Sequence, residues 1–175
     1  DLLWFPTGGG KTEAYLGVAA FTMAIRRFQG SLGGYDSSRG LAVIMRYTLR
    51  LLTLQQFQRA TAMICAMEVI RRESLAKGDK QLGEEPFTIG LWVGNKVTPG
   101  TTQASHQAIK DIRDPEKFNA GSSSPAQLTS CPWCGEEIDP GKHIEVNTAK
   151  LQTSIFCGDK KGQCEFSKGK TAKLP

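Results

Sequence analysis

The run Phe5-Pro6-Thr7-Gly8-Gly9-Gly10-Lys11-Thr12 constrains this chain more than any other feature of it. Ahead of it, Leu2-Leu3-Trp4-Phe5 is an apolar run suited to a buried strand, and from Glu13 onward the pattern turns helical. Glycines at a strand-to-helix turn are the setting of a phosphate-binding loop. They let the backbone approach a triphosphate closely and aim its N–H groups into the cradle. Thr7, Gly8, Gly9, Gly10, Lys11, Thr12 and Glu13 are therefore the expected site for ATP and Mg²⁺. Within it Lys11 supplies a point charge to the β/γ-phosphates, and Thr12 supplies a hydroxyl to the metal. The general pattern is G-x-x-x-x-G-K-[ST], and Phe5 stands here at its first position.

The chain has 175 residues, enough for one domain with a sizeable core. It opens at Asp1 almost on the phosphate loop and reads as an excised fragment or a truncated gene product. The longest apolar stretches are strand-length, or helical and amphipathic. Neither a signal peptide nor a membrane span is visible, so a soluble cytoplasmic protein without membrane contact is expected. Net charge is +5, from 22 Lys+Arg against 17 Asp+Glu. The excess is concentrated in residues 1–72, which hold nine basic and four acidic side chains. A positive bias beside the phosphate loop suits polyanion binding.

Residues 11–29 read as a helix, with Tyr15, Val18, Ala19, Thr22, Met23 and Ile25 on one broad face. A glycine- and serine-bearing loop follows. Residues 41–45, Leu-Ala-Val-Ile-Met, are apolar on both faces, as in a parallel strand. A second helix is predicted over residues 51–72, then a polar connection over 77–86, a third strand over 87–93 and a short helix over 101–114. Alternating strands and helices imply a doubly wound α/β sheet. Residues 119–125, with Gly121 and three consecutive serines, read as a flexible linker.

Beyond the linker aliphatic residues thin out and cysteines appear in pairs. Cys131-Pro132-Trp133-Cys134-Gly135 has the form of a zinc knuckle, with two thiolates spaced to grip one tetrahedral metal and a glycine to turn the chain under it. The second pair, Cys157 and Cys164, is separated by six residues that are rich in turn formers, and residues 146–156 supply candidate ribbon strands between the pairs. The expected ligands of one structural Zn²⁺ are Cys131, Cys134, Cys157 and Cys164. His143 stands as a possible replacement for one thiolate, the plainer reading being a surface histidine. Such a segment has too few apolar residues to hold itself together, and zinc can make up the deficit. The fifth cysteine, Cys65, lies in the apolar part of a helix and reads as a core residue.

After the second apolar run comes Arg46-Tyr47-Thr48-Leu49-Arg50-Leu51-Leu52-Thr53-Leu54-Gln55. Arg and Thr at a strand's carboxyl end, at the start of a helix, can hold nucleic-acid phosphates without reading bases. Pro6-Thr7-Gly8-Gly9-Gly10-Lys11-Thr12 together with Thr48, Arg50, Leu52 and Gln55 resembles the phosphate loop and the following Pro-Thr-Arg-Glu-Leu-Ala-x-Gln motif of superfamily 2 helicases, with an insertion and altered neighbours. Over most of residues 2–95 the chain further resembles the helicase subunits of the bacterial DISARM anti-phage systems. The resemblance implies a RecA-like parallel sheet, ATP-dependent action on DNA and a partner subunit from the same defence locus. It also implies DNA-backbone contacts through Arg46, Thr48, Arg50 and Gln55. The expected organisation is a partial RecA-like domain over 1–114, a linker over 115–127 and a zinc-binding, ribbon-like insertion over 128–175. Glu84-Glu85 and Glu136-Glu137 do not end apolar strands, so the Asp-Glu pair that completes such a motor's Mg²⁺ site is missing and the chain alone is expected to be inactive. Two other readings stand beside this one: a P-loop ATPase that switches conformation without unwinding, and a zinc-ribbon nucleic-acid-binding module on an inert α/β scaffold.

Overall fold

In the computed structural model, which describes residues 10–47, 50–114, 116–117, 122–170 and 172–175, helix α1 (Lys11–Gln29) starts directly after Gly10, whose φ is 78°. Arg26 and Arg27 sit in its last turn, where cations oppose the negative end of the helix dipole. Strands β1 (Ser31–Leu32) and β2 (Tyr35–Asp36) form a small antiparallel hairpin, Leu32 facing Tyr35. Its two-residue turn needs positive φ at both positions, and Gly33 and Gly34 take 59° and 85°. Helix α2 (Arg50–Ala76) is built largely from good helix formers and runs one turn beyond the predicted end. It stops at Gly78, with the Asp79 N–H closing back on the Ser74 carbonyl at 2.9 Å.

The chain divides into two compact units, Asp1–Ile89 (with Pro175) and Gly90–Leu174. In the first, α1 packs on α2. The buried residues include Ala19 on α1 and Ala60, Thr61, Ile64 and Cys65 on α2, so Cys65 is the core residue its surroundings suggested. Of the apolar face read on α1, Tyr15, Val18 and Ile25 reach solvent, as do Phe21 and Phe28 elsewhere on the helix.

A charged cluster fixes the end of this unit. Glu68 of α2 is 1% exposed and accepts from Arg71 at 2.6 and 2.8 Å, from Arg72 at 2.9 Å and from the Phe87 N–H at 3.0 Å. Arg71 also donates to the Glu84 carbonyl, and Arg27 of α1 donates to the carbonyls of Glu85 and Pro86. The Arg27 guanidinium lies 4.7 Å from the centre of the buried Phe87 ring. Residues 83–87 are thus a strap held by side chains of both helices. The Glu84 and Glu85 carboxylates face outward to Lys80 and Arg39.

The expected parallel sheet is the main difference from the sequence reading. Residues 41–47 and 87–93 carry no strand assignment, and the described residues contain only two-stranded antiparallel sheets. A buried strand requires a neighbour to receive its N–H and C=O groups. Among the described residues none is paired with either run, and Leu41, Ile44 and Trp92 are exposed. Residues 2–5 lie outside the described residues.

The second unit is organised around β3 (Ile144–Asn147) and β4 (Gln152–Ile155), an antiparallel pair in the register Ile144 to Ile155 and Asn147 to Gln152. These are the ribbon strands expected between the cysteine pairs. Helix α3 (Thr102–Arg113), capped by the Thr101 hydroxyl on the Ala104 N–H, packs on this hairpin and on the short helix α4 (Pro140–His143). It buries Ser105 and Ile109. The segment that sequence reading placed with the nucleotide-binding region therefore belongs, in packing, to the cysteine-bearing unit. Of the stretch read as a flexible linker, Ser124 and Gln127 are both tied to the Val97 carbonyl at 3.1 Å, and Leu128 beyond it is buried.

Candidate metal centre

Two turns bring the four cysteines together. The first is a tight hairpin over 129–138. The Cys131 N–H donates to the Glu136 carbonyl at 2.7 Å, the Gly135 N–H donates to the Cys131 carbonyl at 2.9 Å, and Gly135 has a φ of 84°. The second is the longer loop between Cys157 and Cys164, whose shape is set by Asp159. One carboxylate oxygen accepts from the Lys161 N–H at 2.8 Å. The other accepts from the N–H groups of Gln163 at 2.6 Å and Cys164 at 2.7 Å. A single aspartate thus folds six intervening residues into a turn that presents both thiols to one point. Those backbone donors, Cys164 first, hold the Asp159 carboxyl below the ordinary aspartate range.

The sulfurs of Cys131, Cys134, Cys157 and Cys164 all lie within 4.8 Å of one another. Cys131 to Cys164 is 3.9 Å and Cys134 to Cys157 is 3.3 Å. A Zn²⁺ ion with sulfur ligands at about 2.3 Å gives tetrahedron edges of about 3.8 Å. The donor set therefore fits zinc in number, element and spacing. The backbone fits as well. Three sulfurs receive an N–H from the residue two positions on: Cys134 from Glu136, Cys157 from Asp159 at 3.3 Å and Cys164 from Phe166 at 3.5 Å. Donors aimed at sulfur favour the charged thiolate that a metal requires.

Burial works against the thiolate at two of the four. Burial pushes the Cys157 thiol far above its ordinary value and the Cys164 thiol up to about 11. At Cys134 burial also acts upward, but the Glu136 N–H and the hydrogen bonds from Cys157, Cys164 and Cys131 outweigh it and lower the pKa. Four thiolates crowded together repel one another, and a divalent cation compensates them. Three of the cysteines are buried and Cys134 reaches the surface. Trp133 on the knuckle meets Phe166 edge to face, with centroids 6.2 Å apart.

His143 is not a member of the cluster. Its Nδ1 accepts the Asp139 N–H at 2.9 Å, within the local turn that opens α4. The ring edge instead approaches Gly158. A Cβ at that position would overlap the Glu137 carbonyl oxygen and press on the His143 ring. Gly158 and Asp159 are two site-shaping residues that the cysteine spacing did not single out. An Asp two residues after a cysteine, opening a Lys-Lys-Gly turn, was the available signal for the second.

Of the expected nucleotide site, Thr7, Gly8 and Gly9 lie outside the described residues. Gly10 immediately precedes α1, Lys11 and Thr12 are half-buried in its first turn, and Glu13 is exposed and ion-paired with Arg59 of α2. Among the expected DNA-contacting residues, Arg46 and Gln55 are exposed. Thr48 and the side chain of Arg50 lie outside what the structure describes. No described helix is long and apolar enough to cross a membrane.

Fold and site together define a mixed α/β chain carrying a ribbon-like module with a four-cysteine cluster compatible with structural zinc. No family model matches the chain. It is similar to DISARM protein DrmA of Bacillus paralicheniformis (strain ATCC 9945a / NCIMB 11709 / CD-2), with 38% identity over 178 residues. The match takes in 96% of this chain and 15% of that protein, so the chain spans a small part of the length of its relative.

Proposed function

We propose that the chain is part of a DrmA-like cytoplasmic anti-phage defence protein, and that it supplies the ATP grip of a superfamily 2 motor acting on DNA. One observation carries the reading: similarity to DrmA runs through nearly the whole of a chain whose helix α1 follows a glycine-rich loop. In this reading Thr7, Gly8, Gly9, Gly10, Lys11, Thr12 and Glu13 hold ATP and Mg²⁺. Backbone N–H groups at the loop and at the start of α1 face the phosphates, and Lys11 neutralises charge on the transferred group. Arg46, Thr48, Arg50 and Gln55 contact the DNA backbone. The rest of the polypeptide supplies the acidic pair, the neighbouring strands of the RecA-like sheet and the second motor domain. A partner subunit of the same defence system completes the assembly.

Zn²⁺, held as tetrathiolate by Cys131, Cys134, Cys157 and Cys164, is structural, since four protein ligands leave no position for water. The deciding experiment uses the full-length protein. Lys11→Ala should abolish DNA-stimulated ATP turnover, because charge stabilisation and positioning carry most of phosphoryl-transfer catalysis. Near-normal turnover in that variant sinks the assignment.

A further inference from the structure

Ser167 is fully buried, and its hydroxyl has no hydrogen-bond partner among the described residues. An orphaned buried hydroxyl is costly and calls for an explanation. Its position supplies one. Ser167 forms a parallel bridge with Cys157, in which the Cys157 N–H donates to the Phe166 carbonyl at 2.8 Å. Residues paired across a bridge project their side chains on the same face. The Cys157 sulfur belongs to the four-sulfur cluster, and the bridge sets the Ser167 side chain on the same face of the chain as that of Cys157. The Ser167 N–H donates to the Cys164 carbonyl at 3.1 Å, which anchors the residue to a second member of the cluster. A neutral thiol is a weak acceptor, whereas a metal-bound thiolate is a good one.

We propose that Ser167 is a positioning residue of the zinc site, its hydroxyl donating to the Cys157 thiolate once the metal is bound. The proposal rests on the zinc reading given above. The hydroxyl joins the Asp159 N–H on the same sulfur and fixes the direction of its lone pairs toward the metal.

The test compares wild type and Ser167→Ala, each as the zinc-loaded and the Co²⁺-substituted chain. Loss of the donor should weaken zinc about tenfold in competition with a chromophoric chelator. It should also move the sulfur-to-cobalt charge-transfer band to longer wavelength, because the sulfur lone pairs are no longer stabilised by a hydrogen bond. Unchanged affinity and band position overturn the proposal. So does weaker binding with an unmoved band, which is the mark of a merely structural effect. A crystal structure of zinc-loaded wild type decides the matter if the variant does not fold. The Ser167 oxygen should lie within about 3.5 Å of the Cys157 sulfur, and a hydroxyl turned away from it refutes the role. Wild type that holds no zinc at elemental analysis defeats the zinc reading itself, a result distinct from either failure above.

Discussion

At the scale of single residues, Gly158 is the described glycine at which an added Cβ would meet its neighbours most closely. Its neighbour is the backbone of Glu137, from the far side of the first knuckle, and backbone cannot swing aside as a side chain can. Gly158→Ala must push the two cysteine turns apart. We expect it to cost about 1–3 kcal/mol of stability, the range for overpacking a filled site, and to speed zinc loss to a chelator. Zinc retention and thermal unfolding equal to wild type would contradict the packing described. This requirement was not legible in the sequence, because the chain that crowds Gly158 lies some twenty residues away. The Cys131–Cys134 knuckle was legible, since two ligands and their turn sit inside five residues. The Cys157–Cys164 pair was half legible: its spacing is loose, and the residue that closes the loop, Asp159, is not a ligand.

At the scale of elements, Glu68 ties α2 to the strap over residues 83–87. Burial alone would raise its pKa, but hydrogen bonds from Arg71, Phe87 and Arg72 outweigh burial and lower it. A carboxyl depressed in the folded state stabilises fully above its unfolded value, about 4.3 for glutamate. That contribution is lost as pH falls below this value and through the lower folded one. The first unit should therefore lose stability on acidification below about pH 4, and in Glu68→Gln this part of the pH dependence should flatten. Glu68→Ala leaves Arg71 buried without its counter-charge and should cost about 3 kcal/mol in chemical denaturation. A pH profile identical in wild type and Glu68→Gln would show that the cluster does not govern the acid limb. The helices themselves were readable from periodicity, and α1 and α3 lie within a residue of their expected limits. The Glu68 cluster was not, because its partner Phe87 is 19 residues away. The strands expected over 41–45 and 87–93 are not formed among the described residues for a related reason. An apolar run expresses a need for neighbours, and its composition does not say whether they lie within the same stretch of chain.

At the scale of the whole molecule, each compact unit has its own means of cohesion. The first depends on helix packing and the Glu68 cluster. The second depends on a small core, including Ile144 and Phe166, and on the four cysteines. Removing zinc should therefore unfold the second unit selectively, because binding free energy at a structural zinc site is largely folding free energy. Hydrogen exchange before and after chelation should show protection lost from β3, β4 and the cysteine turns while α2 keeps its own. Protection lost equally from α2 would refute two separate cores.

The order of the ligands along the chain has a consequence in time. Cys131 and Cys134 leave the ribosome together, but Cys157 and Cys164 follow only after the whole β3–β4 hairpin has been made. A nascent chain that stops short of them offers two thiolates, too few to close a tetrahedron. Under the zinc reading proposed above, completion of the site therefore waits on translation of its last ligand, and only a chain extending past Cys164 can close the tetrahedron.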